Sequence, residues 1–147
     1  MSWLVASFGG VGTLPRAPGT WGSLAAWLLG LIFMAKPGAL AVAALAACAA
    51  GFVAIPRCVP DRDADPSWVV IDEVAGQWIA MLGLGVVTIP GALLAFAGFR
   101  LLDISKPGPI GWADRQGGAF GIMADDILAG LAVAAALIMA RWAGAPL

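Results

Sequence analysis

The chain contains no histidine and only two cysteines, and these scarcities exclude several kinds of catalytic site. Without histidine there is neither a Ser-His-Asp triad nor a histidine nucleophile. Neither Cys48 nor Cys58 has an arginine six positions further on, as a cysteine phosphatase loop requires, and no C-x-x-C pair offers a zinc site. Hydrolytic chemistry on this chain is therefore left with metal-assisted attack by water or with a carboxylate nucleophile.

Charge is also scarce. Only 12% of the 147 residues are charged, 61% are hydrophobic and the mean hydropathy is +0.93, whereas a soluble domain carries roughly a quarter charged residues. The deficit predicts an integral membrane protein, and the length predicts a single domain over residues 1–147. The formal net charge of −1 gives no reason to expect nucleic acid as a partner.

Uncharged runs predict the membrane helices. Arg16 to Lys36 and Lys36 to Arg57 each enclose about twenty uncharged residues, enough for one span. The last span is predicted over Ile127–Ala140, after a polar loop from Ser105 to Ala124. Met1–Leu14 is too short to cross and is predicted to be interfacial or re-entrant; Thr20, or else Ser23, is the predicted N-cap of the first span.

The uncharged run from Val74 to Phe99 allows two interpretations. One tilted helix would use all of it but would leave Asp72 and Asp103 on opposite sides of the membrane. Two shorter helices that meet at Thr88–Gly91 would return both acids to one side. We favour the hairpin because it puts six basic residues on one face and leaves only Lys36 and Arg141 on the other, which makes the first face cytoplasmic. The six are Arg16, Arg57, Arg62, Arg100, Lys106 and Arg115.

The predicted fold is therefore an all-α, polytopic membrane helical bundle. It comprises about five short transmembrane or half-spanning helices and the N-terminal segment.

Acidic residues embedded in apolar sequence are the candidate site. They stand at the ends of three predicted spans and would meet on the cytoplasmic side: Asp72, Glu73, Asp103, Asp125 and Asp126. Converging carboxylates suit Mg²⁺ or Mn²⁺. Four of them could instead be first-turn acids that a helix dipole stabilises. Asp103 lies near the end of its span, where the helix dipole does not stabilise a negative charge. We therefore predict a shared metal site, as is usual for intramembrane acids.

Two cations lie beside these acids. Lys106 and Arg100 flank Asp103 at helical spacing on either side, which suggests a phosphate ligand next to the metal. A lysine that snorkels to the membrane boundary is the competing interpretation of Lys106. The acidic segment Asp61–Asp65 lacks the Gly and Glu that complete a calcium loop, and is predicted to be a solvated loop.

Four motifs together resemble one family. They cover nearly the whole chain in order: Phe8–Ser23, Val70–Gly76, Phe99–Ile110 and Gly121–Gly130. They resemble phosphatidylglycerophosphatase A, although Gly117-Gly118 stands further from Gly121 than the family's spacing. The resemblance implies a small multi-pass enzyme of the bacterial inner membrane, active towards the cytoplasm. It would hydrolyse phosphatidylglycerophosphate to phosphatidylglycerol and phosphate with Mg²⁺.

The resemblance also implies roles for individual residues. The expected metal ligands, for one or two Mg²⁺ ions with Mn²⁺ as an alternative, are Asp72, Glu73, Asp103, Asp125 and Asp126. The expected catalytic residues are Asp72, Glu73, Asp103, Lys106 and Asp126. The expected substrate-binding residues are Arg16, Thr20, Arg100 and Lys106. The loop from Gly9 to Thr20 would cover the lipid headgroup.

Other readings stay open at this stage. The same acids could serve a phosphatase of another lipid or prenyl phosphate, or a small ion-coupled transporter. Water attack and a phospho-aspartate intermediate are both compatible with the motifs. Membrane lipids are expected partners, and the sequence leaves the oligomeric state undetermined.

Overall fold

A computed structural model describes residues 1–36, 38–61 and 64–147. The described residues form seven α-helices and one short 3₁₀ turn, with no β-strand among them. The helices are α1 Ser2–Ala6, α2 Pro18–Phe33, α3 Ala39–Cys58, α4 Ile71–Met81, α5 Ile89–Ser105, α6 Pro109–Asp114 and α7 Gly118–Trp142, and the 3₁₀ turn is Val11–Thr13. The predicted all-α class is confirmed. Arg62, counted above among the cytoplasmic cations, lies outside the described residues.

Helix α4 is the central element. It contacts α2, α3, α5 and α7, and nine of its eleven residues are buried. Two tryptophans fix its surroundings: Trp78 Nε1 donates to the carbonyl oxygen of Ala26 in α2 at 2.7 Å. Trp27 Nε1 in turn donates to that of Ala92 in α5 at 2.8 Å. An indole N–H that is buried needs such a partner, so these bonds tie α2 to both α4 and α5.

Helix α7 crosses α4 at a pair of glycines. A Cβ on Gly130 would lie 3.1 Å from the Cα of Gly76 and closer still to its carbonyl oxygen. A Cβ on Gly76 would lie 2.6 Å from the carbonyl oxygen of Asp126 and 2.8 Å from Cζ of Phe99. Small residues of this kind let helix backbones approach closely. The crossing therefore brings the residues that flank it on α4 and α7 into contact.

The run from Val74 to Phe99 contains two helices, as the hairpin interpretation predicted. Helix α4 ends at Met81 and α5 begins at Ile89, and Thr88 caps α5 by accepting a hydrogen bond from the amide of Gly91 at 3.1 Å. The break was predicted at Thr88–Gly91 but lies one turn earlier. Pro90 belongs to the first turn of α5, where a proline costs no helical hydrogen bond.

Helix starts were predicted less well. Helix α2 begins at Pro18 with Ala17 as N-cap in a left-handed conformation, so neither Thr20 nor Ser23 caps it. Helix α7 begins at Gly118, nine residues before the predicted start, and the predicted polar loop contains α6. Asp125 and Asp126 therefore lie within α7 rather than in its first turn. The alternative that they are N-terminal dipole acids is wrong for this pair.

The N-terminal segment folds against the helices. After α1, the amide of Val70 donates to the carbonyl oxygen of Ala6 at 2.9 Å. Ser7 is buried and its hydroxyl accepts from the amide of Gly10 at 3.1 Å. These contacts attach the segment at the residue that precedes α4.

Among the described helices, two are long and apolar enough to cross a membrane: α3 and α7. Helix α2 is apolar but shorter. Large apolar side chains also stand exposed on the outer faces, for example Val42 and Leu45 of α3 and Met139 of α7. Extended apolar surfaces of this kind are rare in soluble monomers and are consistent with a membrane-associated protein.

We expect Gly130→Ala to destabilise the fold by about 1–3 kcal/mol, because the added methyl group overlaps the backbone of Gly76. Thermal unfolding of the purified protein in detergent would measure the loss. The matched control is Gly98→Ala in α5, whose Cβ would meet only the methyl groups of Val133 at 3.4 Å. That control should be neutral or stabilising by up to about 1 kcal/mol. Equal unfolding temperatures for the two variants would contradict the close crossing.

Candidate metal centre

Three carboxylates converge where α4 meets α7. Asp72 and Glu73 come from the first turn of α4 and Asp126 comes from the interior of α7. One carboxylate oxygen from each residue lies within 4.8 Å of those from both of the others, as ligands of a shared ion would. Asp72 is 8% exposed and Asp126 is 2% exposed. We call these three residues the acidic triad.

Each member of the triad has an oxygen without a hydrogen-bond partner. These buried atoms are Asp72 Oδ1, Glu73 Oε2 and Asp126 Oδ1, judged within the part of the chain that the structure describes. A buried, unpaired carboxylate oxygen is costly, and three that face one another also repel. A divalent cation relieves both costs and prefers carboxylate oxygens as ligands. The residues present therefore fit an ion of the Mg²⁺ or Mn²⁺ type.

Arg100 of α5 brings positive charge to one side of the triad. Its Nη1 lies 3.9 Å from Glu73 Oε1, and the same guanidinium pairs with Asp103 one turn further along α5. Longer hydrogen bonds of 3.4 Å run from Nη1 to Ser23 Oγ and from Nη2 to Thr20 Oγ1. The guanidinium thus links α2, α4 and α5. Its donors are shared among two carboxylates and two hydroxyl groups.

Asp103 therefore stands next to the triad as the partner of Arg100. It lines the same cavity, but it is not one of the three residues whose oxygens meet. Sequence reasoning gave Asp103 the same role as Asp72. The structure instead gives Asp103 the shorter ion pair with Arg100, while Glu73 of the triad lies 3.9 Å from the same guanidinium.

Lys106 brings positive charge to the other side. Its backbone is left-handed, with φ of 45°, at the C-cap of α5. Its Nζ donates to Asp125 Oδ2 at 2.7 Å and also to Asp114 of α6. Burial lowers the pKa of Lys106, but hydrogen bonds to Asp114 and Asp125 outweigh it and hold that pKa above its ordinary value. The lysine is therefore a fixed cation, and it binds acids instead of reaching out to a membrane boundary.

Asp125 is engaged differently from its neighbour. Its Oδ2 accepts from Lys106, and its Oδ1 accepts from the backbone amide of Asp126 at 2.9 Å. Successive residues of a helix point about 100° apart, so one of the two faces Lys106 while the other faces the triad. Both are nearly buried, at 4% and 2% exposed.

Gly19 lets α2 pass close to Glu73. A Cβ at this position would overlap Glu73 Oε1 and would lie 3.4 Å from Arg100 Nη1. The glycine lies in the first turn of α2, after Pro18. Any side chain here would displace the carboxylate, which explains why this turn needs glycine although its backbone is helical.

The triad opens into a cavity of about 300 Å³. Acids, two cations and parts of two loops line it: Pro18, Gly19, Asp65, Pro66, Ser67, Val69, Asp72, Glu73, Arg100, Asp103, Ile104, Lys106, Ile122, Asp125 and Asp126. A second cavity of about 360 Å³ shares Asp65 and Ile122 with the first and extends to Arg115 and Gly117. Together they give a polar space large enough for a phosphorylated headgroup.

The structure gathers seven of the nine residues singled out from the sequence at this cavity. They are Asp72, Glu73, Arg100, Asp103, Lys106, Asp125 and Asp126. Thr20 touches the site only through Arg100. Arg16 is exposed on a left-handed turn and is not among the lining residues. Its role in substrate binding stays a prediction.

Sequence reasoning missed three contributors. Asp114 shares Lys106 with Asp125, Gly19 gives Glu73 its space, and Asp65 lies at the junction of the two cavities. Only Asp114 carried a usable signal, because it stands eight residues after Lys106 in the same polar segment. Asp65 is solvent-exposed, as its loop was predicted to be.

Comparison with known proteins identifies the family of this chain. A family model described as phosphatidylglycerophosphatase A matches residues 4–141. The chain is 36% identical to phosphatidylglycerophosphatase A of Haemophilus influenzae over 126 residues, which cover 83% of this chain and 77% of the relative. The Escherichia coli protein of the same name is also 36% identical over 126 residues, covering 83% and 73%.

A further relative bears a different name. It is a putative phosphatidylinositol-3-phosphatase of Bacteroides thetaiotaomicron, 36% identical over 146 residues that cover 90% of this chain and 89% of the relative. No solved structure matches the chain. The family model spans almost all of the sequence, and with it every residue of the acidic triad. The chain belongs to the phosphatidylglycerophosphatase A family.

Proposed function

We propose that this chain is a Mg²⁺-dependent lipid phosphomonoesterase that hydrolyses phosphatidylglycerophosphate to phosphatidylglycerol and phosphate. The proposal extends to the chain what the names of two relatives state. The observation that carries it is the acidic triad, which has three buried oxygens without a hydrogen-bond partner and lines one cavity together with Arg100 and Lys106. A site with this charge pattern can hold a divalent ion and a phosphate together.

The divalent ion would be held by Asp72, Glu73 and Asp126. When bound, it supplies a Lewis acid that polarises a phosphate oxygen and lowers the pKa of a coordinated water. One ion satisfies the triad; a second would need Asp103 or Asp125 to leave its present cation. Mg²⁺ is favoured over softer metals because every candidate ligand atom is a carboxylate oxygen.

Arg100 and Lys106 orient and neutralise the phosphoryl group. The guanidinium of Arg100 lies between Glu73 and Asp103, and phosphate oxygens can compete with these acids for its planar donors. Lys106 remains protonated at physiological pH because Asp114 and Asp125 hold its pKa up. Both cations stabilise the charge that develops on the phosphate oxygens during transfer. Arg16 and Thr20 would contact the headgroup from the loop that ends in α2.

The protein would lie in the bacterial inner membrane with this site facing the cytoplasm. Helices α3 and α7 would cross it, and α2, α4 and α5 would be shorter spans that lower the site to headgroup depth. Arg100, Lys106 and Arg115 line the two polar cavities, whereas Lys36 and Arg141 both lie near Gly85, and this bias supports the orientation. The whole chain would act as one domain.

A different lipid phosphate is the second candidate substrate. One relative with high coverage is named as a putative phosphatidylinositol-3-phosphatase, and the acidic triad would bind either terminal phosphate. Phosphate release from purified protein with each lipid in mixed micelles distinguishes the two. A higher kcat/KM for the inositol lipid would replace our proposal.

Removal of one triad carboxylate should abolish turnover. We expect Asp126→Asn to lower kcat by about 10²-fold or more, because the amide carries no charge for the ion. Mg²⁺ should raise the unfolding temperature of the wild-type protein, and this shift should disappear in the variant. EDTA should likewise stop phosphate release, and added Mg²⁺ should restore it.

The control for this variant is Asp61→Asn, an exposed acid outside the cavity lining. It should retain both the activity and the Mg²⁺-induced thermal shift. Full activity of Asp126→Asn in the presence of EDTA would sink the metal-dependent mechanism.

A side chain at position 19 that displaces the Glu73 carboxylate should also reduce activity. We expect Gly19→Ala to lower kcat/KM by about 10²-fold, since a misplacement of order 1 Å in a catalytic group has that effect. The added methyl group overlaps Glu73 Oε1. Steady-state phosphate release gives the rate, and Gly98→Ala serves as the matched substitution, since its Cβ would make only van der Waals contact with Val133. An unimpaired Gly19→Ala variant would mean that Glu73 need not stay where the structure has it.

Lys106 should matter through its charge. We expect Lys106→Met to lower kcat/KM by about 10–10³-fold, because it removes the cation from the phosphate site and leaves Asp125 buried without its partner. Lys106→Arg should recover part of the activity. Lys36→Met changes the other lysine of the chain, which is exposed and distant in sequence, and should have no effect. A Lys106→Met variant with wild-type kinetics would exclude the lysine from catalysis and binding.

A further inference from the structure

An apolar groove begins beside the acidic site. Its walls come from the end of α5, from α6 and from α7, and its volume is about 530 Å³. The side chains that matter here are Leu102, Pro107, Ile110, Leu128, Leu131 and Ala132. No side chain among the residues that line this groove can donate or accept a hydrogen bond. We call it the lateral groove.

No residue lines both the lateral groove and the polar cavity, but their lining residues are neighbours along the chain on α5 and α7. On α5, Leu102 of the groove is followed directly by Asp103 of the cavity. At the end of that helix, Lys106 of the cavity is followed directly by Pro107 of the groove. On α7, Asp125 lines the cavity and Leu128, less than one turn later, lines the groove. Each wall therefore changes from charged to apolar within one helical turn.

The groove also runs in a definite direction from the site. Leu128 and Leu131 lie three and six residues beyond Asp125, which is about 4.5 Å and 9 Å further along α7 at 1.5 Å per residue. They lead towards the middle of a helix that is long and apolar enough to cross a membrane. If the phosphate of a molecule is held at the acidic site, the rest of that molecule can extend along α7 over apolar side chains, towards the middle of this helix.

We propose that the lateral groove binds an acyl chain of the lipid substrate. The inference rests on the proposed function and adds a second recognition element to it. A phospholipid changes from a charged headgroup to apolar acyl chains, just as the lining residues of α5 and α7 change from charged to apolar. An unbranched hydrocarbon chain also needs no hydrogen bonds from its surroundings. Since residues of the groove adjoin residues of the cavity on α5 and α7, the chain that the groove holds would fix the depth and the orientation of the headgroup at the acidic triad.

This role makes substrate length a determinant of binding. An acyl chain in the groove adds apolar contact to the diacyl lipid that a deacylated headgroup cannot make. The hydrolysed phosphate is the same in both. Filling the groove should therefore raise KM for the diacyl lipid and leave the kinetics of the deacylated analogue unchanged.

The decisive variant is Ala132→Phe, which fills the groove from an exposed position. Kinetics are measured on the full-length protein in mixed micelles with two substrates, dioleoyl phosphatidylglycerophosphate and its deacylated, water-soluble headgroup. We expect kcat/KM for the dioleoyl lipid to fall by about tenfold, mainly through KM, with the deacylated substrate unaffected. The matched control is Ala136→Phe, one turn further along the exposed face of α7 and outside the groove, which should behave as wild type.

A second variant guards against misfolding. Leu131→Asn keeps the groove open but places an unpaired amide in it at a position that is 52% exposed. It should show the same selective loss on the dioleoyl lipid. Equal losses on both substrates in both variants, no loss in either, or a changed oligomeric state that accounts for the loss would each overturn the acyl-chain role.

These outcomes differ from a failure of the proposed function. If the wild-type protein releases phosphate from neither substrate in the presence of Mg²⁺, the phosphatase assignment itself is wrong. If it hydrolyses both and Ala132→Phe leaves their ratio unchanged, only the acyl-chain groove is wrong.

Discussion

Mutual repulsion among three buried carboxylates is the constraint on which this structure depends. Asp72, Glu73 and Asp126 come together because α4 and α7 cross at Gly76 and Gly130 without side chains between them. A packed helical core would normally exclude such a group, since unpaired carboxylate oxygens are costly to bury. The fold therefore stabilises an arrangement that a bound cation would complete, which is why we place the proposed chemistry there.

The two protein cations form their shorter ion pairs with acids outside the triad. Arg100 and Lys106 are each bound to other acids, Asp103 in one case and Asp114 with Asp125 in the other. Arg100 also lies 3.9 Å from Glu73 Oε1, so its single positive charge is shared between Asp103 and one member of the triad. Their placement on either side leaves the triad negative and the rim of the cavity positive. That gradient suits a metal in the centre and a phosphate at the edge.

The membrane environment explains the remaining proportions of the molecule. Short helices such as α4 end inside the bundle, where α2, α3, α5 and α7 surround them. Their polar ends can then open into a water-accessible cavity at headgroup depth. The apolar lateral groove continues from that cavity along α7. A lipid substrate could be bound by its phosphorylated headgroup in the cavity and by an acyl chain in the groove without leaving the bilayer.

Much of the site could be predicted because intramembrane charge is so rare in this chain. Each acid in an apolar context stood out, and the hairpin interpretation of residues 74–99 correctly returned Asp103 to the side of Asp72. The starts of α2 and α7 were predicted less well. Glycine and proline in those segments predict loops, whereas α2 already includes Gly19 and α7 begins at Gly118, within the positive-φ turn that Gly117 and Gly118 form.

The amino-acid sequence by itself determined the helical class, the apolar segments and the set of acids and cations from which a site could be made. Only the tertiary structure decided which of them share it. Neighbours on a helix point about 100° apart, so the rotation of α7 against α4 turned Asp126 towards the triad and Asp125 towards Lys106. That rotation is fixed by contacts between residues far apart in the chain, such as Gly130 with Gly76. No local pattern in the sequence records them.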